Sequence, residues 1–228
     1  MMPVENNRAE FRQSRVSLIA ELAIALAGLA FGYVGLIPLG ATPVLVVLGG
    51  LSLWLRGDGL KRVGLGTQQG WSRAALLGLV AGVGYQFLSL YVVEPLIACF
   101  TGELPNVSIF APLIGNTRFL LISLAVSWTL AAFGEEFVYR GYLLNRVAQF
   151  AGETRAAWLF ALILTSVLFG LGHLYQGTSG VATVALNGFV YGVLYLASGR
   201  SLWAPIVAHG TSDTVGFLLI FLGSYPGM

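Results

Sequence analysis

The stretch A-A-F-G-E-E-F-V-Y-R-G-Y, residues 131–142, decides how this chain is built. It closes a long apolar run, yet it carries two adjacent glutamates and an arginine. A charged side chain at the centre of a bilayer costs about 3 kcal/mol on insertion scales and more by other measures, so such residues face a cavity or one another. On a helix Glu136 and Arg140 stand four apart and share a face, whereas Glu135 points about 100° away. One glutamate is enough for a structural ion pair. The second is left for another task.

The rest of the chain says why this run lies in lipid. Of 228 residues, 57% are hydrophobic and 10% charged, with a mean hydropathy of +0.81. A soluble domain carries about 25% charged residues. The expected fold is therefore all-α, a polytopic transmembrane helical bundle with residues 1–228 forming a single integral membrane domain. A net charge of +2 without a Lys/Arg cluster leaves no basis for nucleic-acid binding. The single cysteine, Cys99, excludes an internal disulfide framework or a thiolate metal cluster, and its expected role is small apolar packing.

Seven apolar spans are predicted, at roughly 16–38, 42–56, 74–100, 119–147, 157–176, 179–198 and 201–223, so that six to eight helices bracket the count. The second is short for a crossing, which takes about 20 residues. A short extra helix fits within 101–117. Residues 1–15 carry Glu5, Arg8, Glu10, Arg12 and Arg15, and the apolar run behind them outlasts the about 7–15 residues of a cleaved signal.

Loop charge gives the orientation. Arg8, Arg12 and Arg15, then Arg56, Lys61, Arg62 and Arg73, then Arg146 and Arg155, then Arg200 fall on one side, against Arg118 on the other. Cytoplasmic loops carry the Lys/Arg excess, so residues 1–15 are expected to be a cytoplasmic N-terminal arm. Trp54, Trp71, Trp158 and Trp203 lie near the same boundary, as an aromatic belt does.

Within the spans, each polar residue needs a reason. Glu21 is near enough to the inner surface to snorkel, and Glu94 precedes Pro95 where a helix bends or stops; both are expected to be structural. The chain's two histidines are both in predicted spans. His173 follows Phe169 by four residues, and His209 precedes Asp213 by four, so each pair shares a helix face. At 1.5 Å per residue, Glu136, His173 and His209 lie about 12 to 24 Å from the inner ends of their spans. They can meet near mid-bilayer.

Glu135-Glu136-x-x-x-Arg140, Phe169-x-x-x-His173 and His209-x-x-x-Asp213, in that order on separate helices, resemble the CAAX protease and bacteriocin-processing family of intramembrane proteases, also called ABI or Rce1-like. The R-G-Y at 140–142 is similar too. The resemblance implies a glutamate-type intramembrane endopeptidase, with helices 119–223 as the catalytic part. Glu135 and His173 would activate water, Glu136 and Arg140 would hold each other, and His209 with Asp213 would stabilise the oxyanion. Phe169 would contact substrate. Members often carry asparagine where Asp213 stands, so its oxyanion role departs from the pattern.

The implied partner is a peptide or protein substrate, lipidated or not, met in a bacterial inner (cell) membrane, and no cofactor is expected. Two alternatives fit the same residues: zinc held by the histidines and carboxylates, although no H-E-x-x-H is present, and a non-catalytic scaffold or immunity protein. A proton-coupled transporter would call for repeats that are not evident.

Overall fold

The computed structural model describes residues 14–37, 40–66 and 70–228. The arm up to residue 13, with Arg8 and Arg12, lies outside the described residues. Seven apolar helices follow: α1 Arg15–Tyr33, α2 Thr42–Leu55, α3 Trp71–Thr101, α4 Thr117–Phe150, α5 Arg155–Leu171, α6 Gly177–Ala197 and α7 Trp203–Phe221. Five are long and apolar enough to cross a membrane, with α6 counted from its leading turn at Leu174; α2 and α5 are shorter. The chain is a polytopic helical bundle. The region 101–117 contains one 3₁₀ turn, Ser108–Leu113.

Local chemistry sets the helix starts. The Ser14 hydroxyl accepts from the Ser17 N–H at the head of α1, Asn116 accepts from Phe119 N–H before α4, and Thr154 from Ala157 N–H before α5. Each satisfies an amide that the first helical turn leaves open. Pro43 in the first turn of α2 loses no bond there.

Two helices depart from regular α winding. In α3, Ser89–Val93 is wound as π-helix directly before Glu94 and Pro95. Proline lacks an N–H and its ring collides with the carbonyl four residues back, and the wider turn makes room for it. The helix therefore runs on to Thr101, where the sequence predicts a bend or a stop at Glu94. In α4, Ser127–Glu135 and Phe137–Leu144 are also π-wound, a pattern that recurs at functional sites.

Packing follows the logic of a protein in lipid. Large apolar side chains cover the outside, among them Phe31, Val80, Val92 and Phe100, and Cys99 is exposed beside them rather than packed inside. The interior is built around α4: every residue from Glu136 to Leu144 is buried, so this segment is enclosed on all sides by the other helices. α3 and α7 run parallel in backbone contact. A Cβ on Gly78 would lie 2.3 Å from the Ala204 carbonyl oxygen, and one on Gly82 would lie 2.4 Å from that of Ala208. Only glycine permits this approach.

The N-terminal half of α1 and the C-terminal ends of α2 and α4, which the loop charges assign to the inner side, meet in a buried ionic cluster. Glu21 Oε1 accepts from Arg56 Nε at 2.8 Å, and its Oε2 accepts from Ser52 Oγ at 2.8 Å with Arg146 Nε 3.3 Å away. Arg146 also reaches Asp58 at 3.7 Å, and Arg62 pairs with Asp58 at 3.3 Å. Glu21 thus does not snorkel, and Arg56 and Arg146 are buried core residues rather than loop charges. The exposed cations Lys61, Arg62, Arg73, Arg155 and Arg200 preserve the bias over Arg118.

Candidate active site

The π-wound part of α4 carries both glutamates into the bundle. Glu136 is fully buried, and its Oε1 accepts from Arg140 NH1 at 2.7 Å and faces His209 Nδ1 at 2.9 Å. Arg140 is also buried; its other terminal nitrogen donates to the Gly188 carbonyl of α6 at 2.8 Å. Gly188 is needed for that contact, because a Cβ there would press on Arg140, Phe169 and the backbone of Ser166. The guanidinium lies 4.7 Å from the Phe169 ring centre and 5.7 Å from that of Tyr191. A charge taken out of water is tolerated only when paired and bonded in this way, and the aromatic faces add cation–π attraction.

Glu135 is treated differently. It is half-buried, makes no hydrogen bond among the described residues, and lines a cavity of about 330 Å³. His173, His209 and Asp213 line the same cavity. Two helices, α4 and α7, and the turn behind α5 bring these scattered ionisable residues together.

His173 arrives by a route the periodicity does not predict. Helix α5 ends at Leu171 instead of continuing to 176, and His173 sits in the turn behind it. Its backbone N–H bonds the Gly170 carbonyl at 2.9 Å, and its Nδ1 stands 3.1 Å from the Phe169 carbonyl oxygen. A carbonyl can only accept, so Nδ1 carries the proton and Nε2 keeps its lone pair. Leaving the helix gives the ring its freedom to face the cavity.

On α7, His209 is gripped from both sides. Beyond Glu136 at Nδ1, its Nε2 is 3.7 Å from Asp213 Oδ2, and Tyr191 stacks on its ring at 5.2 Å, nearly parallel. Asp213 in turn accepts from Ser127 Oγ at 2.6 Å. Phe169 is only 2% exposed. Its ring stands 5.4 Å from His173 and 5.9 Å from His209, so it forms a partition between the imidazoles while also lining the cavity.

Several contributors escape sequence reading: Ser127, Tyr191, the Gly188 carbonyl and Glu94. Serine and tyrosine are ordinary in membrane spans and carry no signal until their partners are known. Glu94 is 7% exposed and on the cavity wall, not at a helix end. Among the described residues, no group of three or more His, Cys, Asp or Glu is arranged to hold a metal ion.

The family described as type II CAAX prenyl endopeptidase Rce1-like matches residues 117–215. That segment runs from the start of α4 through Asp213 and contains Glu135, Glu136, Arg140, His173 and His209. No curated protein and no solved structure matches the chain at a significant level.

Proposed function

We propose, from the match of residues 117–215 to the Rce1-like family, a glutamate-type endopeptidase that cleaves a peptide bond within the membrane. The family match carries the protease class. The observation that supports the finer reading is the division between two neighbouring carboxylates: Glu136 is held through Oε1 by Arg140 and His209, while Glu135 opens on the cavity with no hydrogen-bond partner among the described residues.

In this mechanism Glu135 removes a proton from a water molecule in the cavity, and the oxygen adds to the scissile carbonyl. His173 Nε2 accepts from the same water and fixes its position. Negative charge develops on the carbonyl oxygen, and His209, acting as an imidazolium whose Nδ1–H is held by the Glu136 carboxylate, donates its Nε2–H there, since fixed donors count most where charge develops. Glu135 then gives its proton to the leaving amine as the C–N bond breaks. General-base action is worth about 10²–10⁴-fold. Asp213, accepting from Ser127, orients His209 and does not donate.

The substrate is a membrane-associated peptide or protein, lipidated or not. The reaction takes no metal, a reading supported by the donor set: Oε1 of the buried Glu136 already serves an arginine and a histidine, and no three His, Cys, Asp or Glu among the described residues are grouped to hold an ion. Orientation follows the surviving Lys/Arg bias, with the N-terminus cytoplasmic in a cell membrane.

Purified protein in proteoliposomes tests this. Cleavage of membrane peptides, read by mass spectrometry, is expected to survive a strong chelator and to vanish in Glu135→Gln at unchanged thermal stability. Chelator loss restored by zinc would replace the mechanism. A Glu135→Gln protein that fully complements a deletion would leave a scaffold in place of a protease.

A further inference from the structure

The cavity has a second polar end that lies outside the family match. Glu94 of α3 is more than nine-tenths buried, yet its carboxylate meets only one hydroxyl, Ser89 Oγ at 3.2 Å. The two are five residues apart, the spacing that the π-wound turn between them brings onto one side. No Lys, Arg or His among the described residues pairs with it, unlike Glu21 and Glu136. An unpaired acid at membrane depth is rare without a partner.

Its place in the cavity can be read from the α3–α7 register. Gly78 meets Ala204, Gly82 meets Ala208, and Gln86 accepts from Ser212 at 2.5 Å. The same offset sets Glu94 level with Ile220, and Glu94, Phe217, Ile220 and Tyr225 all line the cavity. From the levels of Asp213 and His209 to that of Ile220 is seven to eleven residues along α7, about 10 to 16 Å at helical rise. An extended peptide covers that distance in about three to five residues.

Building on the peptidase reading, we infer that Glu94 is a specificity residue that receives a lysine or arginine of the substrate, three to five residues to one side of the scissile bond. The apolar walls of Phe217, Ile220 and Tyr225 take the methylene stem, and the carboxylate takes the cationic head. The substrate supplies the cation that the protein withholds.

The test uses synthetic membrane-inserting peptides of one apolar sequence in which a single lysine is walked along the chain, with a matched set carrying norleucine instead. In proteoliposomes the wild-type protein is expected to cut the lysine peptides best, and the cut site should move with the lysine at a fixed interval of three to five residues. Glu94→Gln should lose about 30-fold on lysine peptides, the low end for losing one partner of a buried charge pair, and cut norleucine peptides as wild type does. Unchanged norleucine cleavage also shows that the variant folds. Cleavage indifferent to lysine position, or an unchanged preference in Glu94→Gln, overturns the inference and leaves the peptidase standing. No cleavage of any peptide by the wild type removes the peptidase reading and this inference with it.

Discussion

Helix α4 passes through two buried ionic clusters, and they are constructed differently. At its C-terminal end, on the side the loop charges assign as inner, Arg146 joins Glu21, Arg56 and Asp58, and both acids are met by guanidinium groups. Ten residues earlier, Glu136 is matched by Arg140 and His209, but among the described residues no cation forms an ion pair with Glu135 beside it or with Glu94 across the cavity. Both clusters are costly to bury. Only the second leaves acids facing a hollow. The comparison teaches that burial of charge alone does not mark chemistry in a membrane protein; incomplete pairing around a cavity does.

The largest effect expected from that distinction is at Glu135. Glu135→Gln keeps size and shape and removes the base, so the cleavage rate should fall by about 10²–10⁴-fold while the melting temperature in detergent stays put. If stability fell with activity, Glu135 would resemble the inner cluster and the contrast would collapse. Next comes Arg140→Met. It strands Glu136 in the core and removes the cation between Phe169 and Tyr191, and breaking such a pair costs about 3–5 kcal/mol. Here stability and activity should fall together.

Glu21→Gln sharpens the other side of the comparison. Arg56 and Arg146 lose a shared carboxylate while Asp58 and Ser52 remain in place, so the expected loss is about 2 kcal/mol of stability, below that of a pair with one partner left alone. Turnover per folded molecule should be unchanged, as measured by active-site titration against cleavage rate. A selective fall in turnover would show that the inner cluster communicates with the cavity.

What the sequence could disclose tracks the same physics. Glutamate, aspartate, histidine and arginine are so unwelcome in lipid that Glu135, Glu136, Arg140, His173, His209 and Asp213 are each visible on their own, and hydropathy exposes the seven helices. The boundary charges were less legible. Arg56 and Arg146 look like loop cations because they lie at span ends, and only the fold shows that Glu21 draws them inside. Glu94 was hidden by Pro95, since the proline suggested a helix end and no periodicity announces a π-wound turn. Ser127 was hidden by being a serine.

Ser127 is also where the smallest effect is expected. Its hydroxyl donates to Asp213 Oδ2 at 2.6 Å, and that same oxygen is 3.7 Å from His209 Nε2. Ser127→Ala removes one hydrogen bond to a charged group, worth about 1.5–3 kcal/mol when the acceptor is buried. Asp213 remains partly open to the cavity, with 28% of its side chain exposed, so water can replace the lost donor and the low end applies. A roughly tenfold fall in kcat at unchanged KM is expected, with Ser127→Thr restoring it, because threonine keeps the hydroxyl. The residue would be acting through Asp213 and His209 on the oxyanion, not on substrate binding. A rise in KM alone would place Ser127 among the substrate contacts and reassign Asp213 from orienting His209 to holding the peptide.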